Sequence, residues 1–177
     1  MGSIMDKINY RTLTANQFDV YADRILNLED GLYDAKDRWD SKEDFREVFV
    51  HRGMKRVVAE QENNILGYSM GLSGMRAKDL FKDEKGMTTD KIEIVPDDAF
   101  LLWVIEVTQA FQGKGVARGL MERMNQEARA QGSQDFYMHL MNKPNETFLK
   151  NPVEIITSVE DYAGTGNTYY LSKMKVR

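Results

Sequence analysis

Ile8 to Leu13 alternates apolar and polar side chains, which fits a short first strand. Phe18, Tyr21, Ile25 and Leu28 then recur at helical spacing, behind a Thr14–Gln17 pair placed to form a capping box. Ser41 with Asp44 gives a second start signal, followed by apolar Phe45, Val48 and Phe49. With Gly31 between them, these predict a helix, a turn and a second helix. Arg56 to Glu60 reads as a strand, Glu62-Asn63-Asn64 as a turn, and Ile65 to Gly71 as the hairpin partner. Met75 to Asp98 shows little periodicity and reads as a long charged surface insertion with a short helix around Leu80 and Phe81. Phe100 to Val107 is nearly all apolar, the pattern of a central strand covered on both faces. Val116, Leu120, Met124 and Ala128 line one side of a helix that begins near Gly115 and stops at Gly132. Asp135 to Met141 is the next strand. Val153 to Val159 and Tyr169 to Val176 close the chain as two strands joined through Gly164-Thr165-Gly166, with a short helix around Phe148 before them. The predicted order is β-α-α-β-β-β-α-β-β-β.

Composition narrows the function classes. With 177 residues, the chain suits one domain spanning 1–177, and Met1 to Ile4 reads as a cloning remnant ahead of a native Met5. A net charge of −4, from 28 acidic and 24 basic residues, lacks the basic surplus of a nucleic-acid binder. No cysteine is present, which removes disulfides, thiolate nucleophiles and Cys-bound zinc. His51 and His139 stand far apart, so no metal site is expected. The start carries no signal-peptide pattern and no apolar run approaches a membrane span, so a cytoplasmic protein without membrane contact is expected.

The segment from Val104 to Leu120 carries the chemistry. It runs from a buried strand through Gln112-Gly113-Lys114-Gly115 into an amphipathic helix. Glycines let the backbone turn tightly and approach a ligand closely. The first amides of a helix have no partner inside it, and with the dipole behind them they attract phosphate oxygens. Lys114 adds a positive charge. Taken alone, a Gly-x-Gly before a helix is also an ordinary tight turn. Neither a Walker A loop nor a dinucleotide fingerprint is present.

Gln112-Gly113-Lys114-Gly115-Val116-Ala117 fits the Gln/Arg-x-x-Gly-x-Gly/Ala motif of the GCN5-related N-acetyltransferases in full. The chain resembles that family in element order as well, from about residue 7 to 176. The resemblance implies the GNAT fold: an α/β (α+β) domain whose mixed sheet of six to seven strands has flanking helices and splays between its fourth and fifth strands. It implies that acetyl-coenzyme A binds there. Amides of Gln112, Gly113, Lys114, Gly115, Val116 and Ala117 would hold the pyrophosphate, with Arg118 beside them. The main chain of Ile105 and Val107 would pair with the pantetheine arm, and the Val107 amide would face the thioester carbonyl. Asn142 matches an asparagine that often follows the fifth strand. Phe148 stands where the family has the tyrosine that protonates the departing thiolate, so either Tyr162, Tyr169 or Tyr170 serves, or water does.

The general base is less clear from the residues. The family's usual places fall on Leu101, Trp103 and Val104, and none of these takes a proton. Glu106 is the strand's one carboxylate, but strict alternation points it away from the Trp103 face. It is either a base or a polar residue near a strand end. His139 and Tyr137 share a face of the fifth strand, and a histidine suits proton transfer near neutral pH. His139 is equally a structural strand residue.

The acceptor in this family binds near the first two helices and the last strands. Glu29 to Glu47 holds eight acidic and four basic residues, a surface that attracts a cationic amine or is simply solvated. Tyr33 and Trp39 line the pocket or pack the helical hairpin. The expected activity is acetyl transfer to a primary amine of a small molecule or a protein, by a monomer or homodimer. The alternatives are a non-catalytic acyl-coenzyme A sensor on the same fold, and an enzyme acting on protein or aminoacyl-tRNA.

Overall fold

The computed structural model describes residues 8–32, 39, 41–81, 89–141, 152–161 and 166–176. Tyr33, Asn142, Phe148 and the short helix expected around Phe148 lie outside the described residues, as do Tyr162, Gly164 and Thr165.

Strand β1 (Asn9–Leu13) leads through a 3₁₀ turn into α1 (Phe18–Asp30), and α2 (Lys42–Val50) follows. Both start signals act as predicted. The Gln17 side chain accepts from the Thr14 N–H at 2.9 Å, and Ser41 Oγ accepts from the Asp44 N–H at 3.0 Å. β2 (Lys55–Gln61) and β3 (Asn64–Ser73) form the hairpin. Its turn residues Glu62 and Asn63 sit at φ +48° and +67°. Next come α3 (Gly74–Phe81), α4 (Thr89–Ile92), β4 (Phe100–Val107), a 3₁₀ turn at Gln109–Phe111, and α5 (Val116–Ala130). β5 (Asp135–Leu140), β6 (Glu154–Val159) and β7 (Tyr169–Lys175) end the chain.

All seven strands join one sheet in the order β1-β2-β3-β4-β5-β7-β6. Among the described residues only β4 and β5 pair in parallel. One face carries Phe18, Tyr21, Ile25, Phe45 and Phe49 from α1 and α2, packed on Val58, Tyr68, Met70 and Leu101. The other face is covered by α5 through Val116, Leu120, Met124 and Ala128. Burial of these apolar faces is what holds the layers together.

Two expectations need correction. The segment from Met75 to Asp98 is not merely a surface insertion. Ala77, Phe81, Ile92 and Val95 from it are buried in the α1/α2-side core, and Gly74 packs against the Pro96 backbone too closely for any side chain. Charged residues between the anchors hide the period. The second correction concerns β4. Phe100 to Leu102 is fully buried, but Trp103 to Glu106 is only half-buried. The reason is the sheet itself. β4 pairs with β5 at Phe100–Phe136, Leu101–Tyr137 and Leu102–Met138, and no further rung follows. The expected splay between the fourth and fifth strands opens there.

Candidate functional site

The open slot is bordered by the main chain of β4. Leu66 and Thr108 are opposed across β3–β4 and share the bond from the Thr108 N–H to the Leu66 carbonyl at 2.9 Å. Hydrogen-bonded and non-hydrogen-bonded pairs alternate in an antiparallel ladder. Tyr68–Glu106 is therefore a bonded pair, while Gly67–Val107 and Ser69–Ile105 are not. The N–H and C=O groups of Ile105 and Val107 point away from β3, into the slot. The Val107 carbonyl accepts from Gln112 Nε2 at 3.2 Å, which ties the strand end to the following loop.

At the wide end of the slot lies a cavity of about 490 Å³, lined by Val107 and by every residue from Phe111 to Arg118. Gly113 and Gly115 hold φ +73° and +86°, in the left-handed region that glycine adopts without strain. A side chain at Gly113 would meet nothing within 4 Å, so that position is shaped by backbone conformation and not by packing. Gly115 caps α5, whose first amides open onto the cavity. The Lys114 ammonium lies 5.0 Å over the Phe111 ring. A pocket of this size, ringed by helix-start amides and basic Lys114 and Arg118, suits a phosphate-bearing ligand.

The narrow end is built from side chains. Met70 opposes Val104 and Gly71 opposes Leu102, so Trp103 is an extra residue with no opposite number on β3. This β-bulge resets the alternation. Trp103 and Val104 both pack on the α1/α2 face, and Ile105 turns to the α5 face. Glu106, opposite buried Tyr68, therefore faces the same side as Trp103. The alternation argument that aimed it away fails, because it counts no bulge. Glu106 Oε2 is shut off from solvent.

Glu29 and Tyr68, which no sequence motif marks, stand beside it. The Tyr68 hydroxyl donates to Glu29 Oε1, and Trp39 Nε1 donates to the Tyr68 oxygen at 3.5 Å. Glu29 Oε2 accepts from the Trp39 main-chain N–H at 3.4 Å. Burial raises the Glu29 carboxyl above the usual carboxylate range, against the opposing pull of these hydrogen bonds. Burial also pushes the Tyr68 phenol up, helped by the negative charges of Glu106 and Glu29. The trace in the sequence was Glu29 itself, four residues after Ile25 on the apolar stripe of α1. Trp39 also packs on Phe45 at 5.3 Å.

His139 is 4% exposed and lies between two rings, Trp103 at 5.1 Å and Tyr169 at 4.9 Å. Burial, with the Lys91 charge as a lesser cause, lowers it to about 4. It is neutral at physiological pH. Tyr137 lies on the closed side of the last rung, buried, with the Lys173 ammonium 5.8 Å from its ring. It is not brought to the slot. Among the described residues no cluster of His, Asp and Glu is arranged to hold a metal, and no helix is long and apolar enough to cross a membrane.

Comparison with known proteins agrees with this fold. No curated protein sequence matches the chain. The fold matches ribosomal-protein-S18-alanine N-acetyltransferase from Escherichia coli with a TM-score of 0.65 at 12% identity, over 96% of this chain and 94% of that one. An aminoglycoside 6′-N-acetyltransferase complexed with coenzyme A matches with a TM-score of 0.64 at 11% identity, over 96% and 98%. A protein of the GNAT family from Desulfovibrio desulfuricans matches with a TM-score of 0.63 at 13% identity, over 97% and 100%. The family model described as Acetyltransferase (GNAT) family matches residues 22–148, well over half the chain, and the chain therefore belongs to the GNAT family of acetyltransferases.

Proposed function

We propose that this chain transfers an acetyl group from acetyl-coenzyme A to a primary amine, by direct attack with both substrates bound. The observation that carries the reading is the slot itself: outward-facing main chain at Ile105 and Val107, leading to a cavity ringed by Phe111 to Arg118. The amides of Gln112 to Ala117 would hold the pyrophosphate, with Lys114 and Arg118 adding positive charge. Ile105 and Val107 would hold the pantetheine arm as a neighbouring strand would. Acetyl-coenzyme A supplies an activated acyl group: the amine nitrogen forms its C–N bond at the carbonyl carbon, the C–S bond breaks, and coenzyme A leaves as a thiolate that water protonates.

Glu106 is the base in this reading. It faces the α1/α2 side, from which an acceptor reaches the slot, and it takes the proton the amine must lose. His139 is an inferior choice, because its ring is buried between the rings of Trp103 and Tyr169 and is not presented to an incoming amine. The Ile105 N–H, the slot-facing amide nearer the last rung, would donate to the thioester carbonyl oxygen as charge builds there, since Val107 lines the cavity given to the pyrophosphate. Much of the rate comes from holding amine and thioester together. Trp39, fixed by Glu29 and Tyr68, walls the acceptor side, and the acidic stretch from Glu29 to Glu47 draws a cationic acceptor in.

The test is thiol release. The chain has no cysteine, so a thiol-reactive dye reads free coenzyme A without background from the protein. A panel of amines and peptide amines should contain members that raise release well above hydrolysis. Coenzyme A binding with no amine-dependent release from any member would favour a non-catalytic acyl-coenzyme A sensor instead.

A further inference from the structure

Four rings from four elements stand in one column. Phe81 of α3 lies flat on Trp103 at 3.7 Å and 18°, Trp103 on His139 at 5.1 Å and 15°, and His139 on Tyr169 of β7 at 4.9 Å and 25°. The column sits at a particular place. The last β4–β5 rung is Leu102–Met138, and Trp103 and His139 are the next residue on each strand. Where a further backbone rung would come, two stacked rings stand instead. Offset stacking of this kind is favourable beyond the area it buries.

That place is the apex of the splay. A ligand arm that starts at the Phe111–Arg118 cavity and runs along Ile105 toward the last rung ends there. From Val107 to Trp103 is four residues, about 13 Å at strand spacing. The acyl end of the arm thus meets the column. Phe81 backs Trp103 from the buried side, and it comes from the α3–α4 segment, whose Lys91 also donates to the Ser158 carbonyl of β6 at 2.8 Å. The column is braced on both sides of the splay, and a longer acyl chain cannot push one ring aside without moving the others.

We infer that the Phe81–Trp103–His139–Tyr169 column closes the apex against acyl groups longer than acetyl, so that Trp103 and His139 set the acyl-chain specificity of this chain. The inference rests on the coenzyme A reading above. It makes His139 a specificity residue through its shape, and it gives the α3–α4 segment a role as the brace.

The experiment is calorimetric binding of free coenzyme A, acetyl-coenzyme A and hexanoyl-coenzyme A to the full chain, with no acceptor needed. The parent should bind hexanoyl-coenzyme A roughly 10-fold or more weakly than acetyl-coenzyme A, the scale at which a filled apolar pocket rejects extra methylenes. In Trp103→Ala that ratio should fall to about 3-fold or less, since the removed ring leaves space for the chain. Should circular dichroism show Trp103→Ala unfolded, His139→Ala and the half-exposed Tyr169→Ala carry the same expectation. Equal binding of both thioesters by the parent overturns the inference, as does a folded variant at Trp103 or His139 that keeps the parent's ratio. A parent that fails to bind free coenzyme A brings down the cofactor reading itself, a separate and visible outcome.

Discussion

The wide and narrow ends of the β4–β5 splay are made of different material. In the proposed reading the working groups at the wide end are main-chain amides, fixed by two left-handed glycines and the start of α5. At the narrow end they are side chains from α1, α3, β3, β4, β5 and β7, held by stacking and by buried hydrogen bonds. Main-chain geometry tolerates no substitute for glycine but asks little of the other residues. Side-chain geometry can be retuned one residue at a time. The cofactor end should therefore fail abruptly when altered, and the acceptor end by degrees.

Gly115→Asp is the most severe test. It places a side chain at φ +86°, costing roughly 1–2 kcal/mol of strain, and sets a negative charge at the helix start. At 100 times its dissociation constant, coenzyme A should stabilise the parent by about 2.7 kcal/mol and raise its melting temperature. The variant should show no such rise. Equal stabilisation of both would remove the assignment of this loop to the pyrophosphate.

Glu106→Gln comes next. Loss of a general base costs roughly 10²- to 10⁴-fold in turnover, while coenzyme A affinity measured by calorimetry should hold. A variant that turns over normally would shift the proton to another group, or to bulk water.

His139 gives a pH signature of the narrow end. Its native pKa is near 4, against 6.5 for an unperturbed histidine. Between these values the unfolded chain takes up a proton that the native ring refuses, so stability rises with pH across that window. The contribution is fully present above pH 6.5 and is lost as pH falls toward 4, about 3 kcal/mol in all. Denaturant titrations of the parent and of His139→Phe, which keeps a ring in the column but cannot titrate, should diverge by that amount. Glu29 works in the opposite direction, since its raised pKa favours the native state at low pH, but it is common to both proteins. Parallel curves would mean that His139 is solvated and the column loose.

The same contrast explains what the sequence made legible. The turn and helix start from Gln112 to Ala117 could be read because glycines at fixed spacing before an apolar-striped helix leave a local pattern. So could the strands, whose alternation is local too. Glu106 could not be placed, because the bulge at Trp103 is a fact of β4's register against β3, a strand distant in sequence. Phe81 was read only as part of a short surface helix, since its stacking partner lies beyond a charged stretch. Glu29 was legible in principle as a carboxylate on an apolar stripe, and its partners Tyr68 and Trp39 were not. Tyr137 and His139 share a face, as alternation requires, yet the last rung leaves one on each side of it.

Trp39→Phe should have the smallest effect and sharpens the comparison most finely. Trp39 is held at two points, its main-chain N–H on Glu29 Oε2 and its indole N–H on the Tyr68 oxygen at 3.5 Å. Phenylalanine keeps the first point and much of the packing on Phe45. It loses only a long hydrogen bond, and the Tyr68 hydroxyl still donates to Glu29. A bond of that kind contributes about 1 kcal/mol or less, which for a chain of this size lowers the melting temperature by roughly 2–4 °C at most. If Trp39 walls the acceptor, the KM for the amine should rise about 5-fold or less, with kcat and coenzyme A affinity held, because only uniform binding has been weakened. The converse result is more informative. Weaker coenzyme A binding in this variant would mean that the two ends share parts. The division between a main-chain cofactor site and a side-chain acceptor site would then have to be redrawn around Tyr68, whose strand neighbour Gly67 lies against Val107.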